Sequence, residues 1–401
     1  MTEVLRDVPA ARGVGVRLAE RLVLRALERI EGGTVELRLP DGNVHRFGAG
    51  RPVAVEIVSR DVFRRLLWHP RLGLGESYVA GEWRTDDLPF LLGLVIGALE
   101  RWRHRSRLAW AERFRPHLSP RQDLRRARRN IGYHYDLGND LYRLFLDESL
   151  TYSCAIWAEG DTLGEAQARK LRRVCERLEL GPDDHVLEIG CGWGSFALLA
   201  AGEYGARVTG LTISEQQATL ARERVRAAGL ADRIEIRLQD YRRVEGRFTK
   251  IASVEMLEAI GHAQYPVFFA TCDRLLTPGG RACVQTIAIP DSRYETYRRH
   301  DDWIRRYVFP GSLLPSVAVL QRAMARVSAL YLAGLEEIGL HYAPTLQAWR
   351  ERFLARLYDV RRLGYDERFV RTWDFYLAYC EAAFRTRSLH DVQLLLARPA
   401  E

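Results

Sequence analysis

From about residue 131 the chain repeats one pattern, an apolar strand followed by a glycine turn and a helix, and nothing else in it constrains the fold as strongly. HVLEIG (185–190) runs into CGWG and SFALLAAGEYG, and ARVTGLTI (206–213) precedes SEQQATLARERVRAAG. RIEIRLQD, KIASVEML, GRACVQTIAI and DVQLLLA (391–397) read as further strands. Alternating strands and helices of this kind form a parallel sheet covered on both faces, joined by right-handed connections. The expected class is α/β, a doubly wound, mostly parallel sheet within a catalytic domain spanning 131–401. Mostly helical, aromatic-rich sequence at about 291–385 interrupts the alternation and reads as an inserted lid.

The first hundred residues have a different rhythm. Val16 to Ile30 repeats apolar residues at helical spacing, TVELRL and VHRFG alternate around the tight-turn sequence Asp41-Gly42-Asn43, and VAVEIV (53–58) adds a strand. DVFRRLLWHP and the apolar 88–99 segment read as helices closing a smaller α+β domain over 1–100. A length of 401 residues agrees with two domains. The longest apolar run, Leu88 to Leu99, is 12 residues and contains Pro89, Gly93 and Gly97. That is well short of the roughly 20 residues a membrane-spanning helix needs. The first twenty residues lack the apolar core of a secretory leader, so a cytoplasmic location is expected. The six cysteines, at 154, 175, 191, 272, 283 and 380, form no CxxC pair and no Cys/His cluster, so neither a disulfide framework nor a metal site is expected.

Formal charge is 60 − 52 = +8, and 58 of the positive residues are arginine, the lysines being Lys170 and Lys250 alone. Eleven arginines fall between Arg101 and Asn130 against Glu112 and Asp123, a local net of +9. Trp102, Leu108, Trp110 and Phe114 are interleaved with them. Such a segment suits a basic linker or arm drawn to anionic headgroups. No nucleic-acid recognition motif accompanies it.

Glu188-Ile-Gly190-Cys-Gly192-Trp-Gly194 follows a strand and opens a helix, where glycines let the backbone approach a ligand at a helix N-terminus. The GxGxG spacing lacks the third glycine of the dinucleotide fingerprint, and the next strand ends in Gly210-Leu-Thr212-Ile-Ser214 rather than in an acid for a ribose. A nicotinamide cofactor is therefore disfavoured. The pattern resembles class I S-adenosylmethionine (SAM) methyltransferases, in which Asp240-Tyr241 would stand at the adenine.

Gly132-Tyr-His134-Tyr-Asp136-Leu-Gly-Asn-Asp140, Tyr152-Ser153-Cys154, VLEIGCGWG, GLTISEQQ, YVFPGSLLPS (307–316) and FYLAYCEAAFR (375–385) follow one another in the chain. Together they resemble the cyclopropane-fatty-acyl-phospholipid synthases and the related mycolic acid methyltransferases over roughly 120–398. The resemblance implies methylene transfer from SAM to a cis double bond in a phospholipid acyl chain, through a carbocation, giving a cyclopropane. It also implies a peripheral enzyme on the inner face of the membrane and, by resemblance only, a homodimer. Loss of a different proton would give a methyl- or methylene-branched chain. Another hydrophobic acceptor, or an inactive lipid carrier, are the competing readings.

Carried over by position, the resemblance places Tyr152, Ser153, Glu188, Gly190, Gly192, Gly194, Thr212, Gln217, Asp240 and Tyr241 at the cofactor. Cys154, Glu258, Ile287 and Tyr342 fall among groups that in the family hold bicarbonate as the base. Two positions depart from the pattern. Gln285 replaces a histidine, and an amide can donate to an anion but is no acid or base near neutrality. Glu255 replaces a small residue, and a second acid close to Glu258 could itself serve as a direct base. Cys380 matches a cysteine once favoured as nucleophilic, although LAYCEAAF reads as a packed helix. His134 and Asp136 read as helix-capping residues and His262 as a turn residue.

Overall fold

In the computed structural model, which describes residues 15–105 and 138–400, two compact units share the chain. One gathers the described residues up to 105 together with Glu295–Pro310 and Phe353–Ser388. Its sheet contains β1 (Thr34–Arg38), β2 (Val44–Gly48), β3 (Pro52–Ile57) and β4 (Trp83–Thr85) in the order β2-β1-β3-β4. β1 and β2 form the expected antiparallel hairpin. Gly42 takes φ +87° in its turn, and the Asp41 carboxylate accepts the Asn43 N–H at 3.1 Å. The inward positions Val35, Leu37, Val53, Val55 and Ile57 are buried. Helices Val16–Leu27, Asp61–Trp68, Gly73–Val79 and Leu88–Arg105 complete the N-terminal part.

The expected lid over 291–385 is divided between the units, Glu295–Pro310 and Phe353–Ser388 falling in the first and Gly311–Arg352 in the second. Helix Glu367–Arg385 packs on Leu88–Arg105 and Gly73–Val79 within the first unit. There the Tyr78 hydroxyl reaches Asp374 Oδ2 at 2.5 Å, and the Tyr307 hydroxyl reaches Glu76 Oε1 at 2.5 Å. Trp303 meets the Phe375 ring with centroids 4.7 Å apart. Helical periodicity reveals that a face is buried and is silent on which surface covers it, so this division leaves no mark on the pattern of residues.

The second unit holds the described residues from 138 to Tyr294, then Gly311–Arg352 and 389–400. Its strands are β5 (His185–Ile189), β6 (Arg207–Thr212), β7 (Ile234–Leu238), β8 (Phe248–Val254), β9 (Leu276–Ala288), β10 (Tyr331–Glu337) and β11 (His390–Ala397). They lie in the order β10-β11-β9-β8-β5-β6-β7. β5 to β9 pair in parallel, while β11 runs antiparallel to both β9 and β10. The mostly parallel α/β sheet expected from the βα alternation is present. The Leu163–Leu178 helix buries Leu171, Val174, Cys175 and Leu178 in a core shared with Val186, Ala252 and Cys283 of the strands. Sequence order reverses at β5, with β6 on one side and β8 on the other, which opens a crevice at the carboxyl ends of these strands. No helix among the described residues is long and apolar enough to cross a membrane. The 101–130 arm beyond residue 105, together with His134 and Asp136, lies outside the described residues.

Candidate active site

The glycine turn sits at the head of that crevice. Gly190 and Gly192 take φ +87° and +51°, and the helix Ser195–Tyr204 begins just after Gly194. The N–H groups of Gly190 and Cys191 both donate to the Leu211 carbonyl, at 3.0 and 2.8 Å, anchoring the turn to β6. A Cβ at 190 would meet Met256 Cγ at 3.0 Å, whereas one at 192 would project into open space. Gly192 is thus required by its backbone and by whatever fills that space, not by neighbouring protein.

The residues assigned to the cofactor surround this turn. The Glu188 carboxyl is buried, which pushes it up to about 8, and its Oε2 has no partner among the described residues. Thr212 donates to Gln217 Oε1 at 2.8 Å and accepts the Ser214 N–H at 3.1 Å, which fixes the Gln217 amide. Tyr241 packs against Phe268, its buried hydroxyl likewise without a partner. Asp240, expected at the adenine, is engaged by Arg242 through Oδ2 at 2.6 Å and caps the turn Tyr241–Arg243. Tyr152 packs with Tyr142, Phe145 and Trp349, and Trp349 meets Tyr342 at 6.0 Å. The result is a wall of π faces able to stabilise positive charge. Open space at Gly192, unpartnered buried oxygens and an aromatic wall fit an adenosyl sulfonium.

Glu255 and Glu258 lie just past the end of β8. Glu255 adopts φ +49°, a left-handed conformation uncommon for glutamate, and strain of this kind gathers at functional sites. Its carboxylate is held by three hydrogen-bond donors. Oε1 accepts the Cys154 N–H at 2.7 Å and Gln285 Nε2 at 2.9 Å, and Oε2 accepts the Tyr342 hydroxyl at 2.6 Å. Gln285 acts as a donor, as an amide should, and its own Oε1 accepts Gln393 Nε2 at 3.1 Å. Glu258 stands on the Leu257–Ala259 turn, where Oε1 accepts the Ile287 N–H at 2.5 Å and the Thr286 hydroxyl at 2.8 Å. Its buried Oε2 has no partner among the described residues. Burial, with the nearby Glu255 charge, pushes the Glu258 carboxyl up to about 8. The Cys154 thiol is buried and pushed well up, so this residue contributes its backbone N–H rather than a thiolate.

The structure thus brings together Cys154, Glu255, Glu258, Gln285, Ile287 and Tyr342, which are far apart in sequence. It does not add Cys380, which lies on the Glu367–Arg385 helix of the first unit, its thiol pushed up by burial and by the Asp302 charge. His262 is occupied by the Tyr294 hydroxyl at 2.7 Å. Sequence reasoning missed Asp391, whose Oδ2 accepts Gln285 Nε2 at 3.0 Å and whose carboxyl is held neutral by burial and by Glu255. It also missed Gln393, Thr286 and the fully buried Lys170. One available signal was the pair Asp391 and Gln393, two polar residues at alternate positions of the otherwise apolar run DVQLLLA.

Comparison with known proteins follows the same lines. Residues 122–394 match the family described as mycolic acid cyclopropane synthetase. The chain is 39% identical over 398 residues to the tuberculostearic acid methyltransferase UfaA1 of Mycobacterium tuberculosis, covering 95% of this chain and 89% of that protein. It is 36% identical over 384 residues to the cyclopropane-fatty-acyl-phospholipid synthase of Escherichia coli K12, covering 91% and 96%. Among solved structures, the mycolic acid cyclopropane synthase CmaA1 complexed with SAH and CTAB is similar with a TM-score of 0.62 and 28% identity, covering 68% of this chain and 98% of that one.

Proposed function

The chain belongs to the mycolic acid cyclopropane synthetase family of SAM-dependent methyltransferases, and from that premise we propose that it adds a one-carbon unit to the cis double bond of an unsaturated phospholipid acyl chain, with Glu255 as the resident base. When bound, SAM supplies an electrophilic methyl group. The residues that would hold it are Gly190 and Gly192 with Gln217, Tyr241, Tyr152 and Ser153. Tyr152, backed by the buried rings of Tyr142 and Trp349, is the aromatic face available to positive charge developing on the acyl chain. The Glu255 carboxylate accepts the proton that the acyl chain must lose. Glu258, neutral up to about pH 8 in the absence of a cation, is drawn toward its ionised form by positive charge entering the cavity.

One observation carries this reading: the donors an external anion would use are already spent, Cys154 N–H, Gln285 Nε2 and the Tyr342 hydroxyl on Glu255 and the Ile287 N–H on Glu258. Bicarbonate does not fit the residues present, and no step is assigned to it. The leading product is a cyclopropane, formed when the proton leaves the new methyl as the ring closes. A methylene-branched chain is the second reading. It is favoured by the tethering of this base, which can meet only the C–H that the acyl chain presents to it, and by the likeness to a tuberculostearic acid methyltransferase. A phospholipid substrate would place the enzyme on the cytoplasmic membrane surface. Binding to anionic over neutral vesicles at low salt tests that placement, and light scattering tests the homodimer.

The decisive variant is Glu255→Gly, since glycine suits φ +49°. It should bind SAH normally, fail to modify phospholipids in carbonate-free buffer, and regain turnover when bicarbonate is supplied. Full activity without bicarbonate would remove the assigned role. Mass spectrometry of lipids after incubation with labelled SAM should show the gain of one CH2, and NMR separates ring from branch.

A further inference from the structure

Lys170, one of only two lysines in the chain, stands on the Leu163–Leu178 helix and is fully buried. Its Nζ donates to Ser153 Oγ at 2.7 Å, and among the described residues no carboxylate lies within ion-pair distance of it. One turn earlier on the same helix, Gln167 Nε2 donates to the Ser153 carbonyl at 2.8 Å. Two side chains of one helix face therefore pin residue 153 by both its backbone and its hydroxyl. The pinned loop also carries Tyr152 of the aromatic wall and the Cys154 N–H that donates to Glu255.

A serine hydroxyl has one hydrogen and two lone pairs, whereas an ammonium can only donate. With Lys170 on a lone pair of Oγ, the Ser153 hydrogen must be directed to a different acceptor. SAM and SAH each carry one anionic acceptor, the carboxylate of the amino-acid tail. We propose that Lys170 is a positioning residue for the cofactor, turning the Ser153 hydroxyl into a one-way donor toward that carboxylate. The acids acting on the ammonium are Glu255, Asp391 and Asp147, with Glu188 also within its field. Burial pulls the ammonium's pKa down, and Glu255 and Asp147 oppose this without competing for its hydrogen bond, while Asp391 and Glu188 are themselves held neutral. The inference rests on Ser153 being a cofactor contact, as the proposed function has it.

SAH affinity, measured by titration calorimetry, separates the two ideas. Lys170→Met should weaken SAH binding by about tenfold, the scale of a hydrogen bond to a charged group. Ser153→Ala should weaken it similarly, and the double variant should lose no more than Ser153→Ala alone. If Ser153→Ala weakens binding and Lys170→Met does not, the role of Lys170 is overturned while the cofactor site stands. If neither variant weakens binding, the assignment of Ser153 fails as well. A second measurement needs no variant. Lysine labelled with nitrogen-15 at the side chain gives two resonances, and SAH should displace that of Lys170 while leaving that of Lys250. A Lys170 resonance unmoved at saturating SAH overturns the proposal.

Discussion

The turn that would hold the cofactor and the acid cluster beside it are built in opposite ways. Seven consecutive residues, Glu188 to Gly194, shape the first through backbone conformation. The second assembles the backbone N–H groups of Cys154 and Ile287 with side chains from positions 255, 258, 285, 342 and 391, drawn from five separate segments. A local, backbone-made site tolerates side-chain change around it, provided φ stays positive where required. A convergent, side-chain-made site can be re-tuned by exchanging two residues, and the pair Glu255 and Gln285 is such an exchange relative to the family pattern.

If this division holds, removing an ionisable carboxyl from the cluster should abolish chemistry and spare cofactor binding. Glu258→Gln should lower turnover by about a thousandfold, within the range for loss of a group that handles a proton or charge, while SAH affinity stays within about threefold. The same variant reports on stability. Burial keeps Glu188 and Glu258 protonated up to about pH 8 in the folded protein. The unfolded chain loses those protons near pH 4.3, roughly the ordinary glutamate value. The folded state therefore binds more protons between these limits, and stability falls as pH rises from the lower to the upper. Thermal midpoints at pH 5 and pH 8 should show a shallower decline for Glu258→Gln than for the parent protein. An equal decline would mean the carboxyl is not held neutral.

The reverse experiment acts on the turn. Gly192→Val forces a β-branched residue into φ +51° and projects its side chain into the open space, so SAH affinity should fall by about a hundredfold. Unchanged affinity, read by calorimetry, would show that the space beside Gly192 is not where the cofactor lies. The smallest effect should come from Cys154→Ala, which keeps the N–H on Glu255 and removes only a buried neutral thiol. Turnover should stay within about threefold, and a far larger loss would give the sulfur a chemical role.

These differences also set how much could be read from the sequence. The strands β5 to β9, the glycine turn and the hairpin at Gly42 were legible because each depends on a few neighbouring residues and a fixed period. Glu258, Tyr342 and Ile287 were found through resemblance, and Glu255 and Gln285 stood out as departures from it. Their joint meaning was not legible, because it rests on hydrogen bonds between positions 101 and 87 residues apart, Cys154 to Glu255 and Glu255 to Tyr342. Lys170 and Asp391 escaped notice because a charged residue in an amphipathic helix or at a strand start ordinarily faces water.

The interleaving of the two units bears on how the protein is made. Tyr78 waits for Asp374 and Glu76 for Tyr307, so a ribosome that has released the first hundred residues has not yet released the partners that close their polar core. The N-terminal unit cannot be completed before Ser388 emerges, by which time nearly the whole sheet of the other unit has been synthesised. Because β11 of the other sheet follows Ser388 in the chain, neither unit can finish before nearly the whole protein has emerged, and the usual N-terminal-first order of domain maturation does not apply.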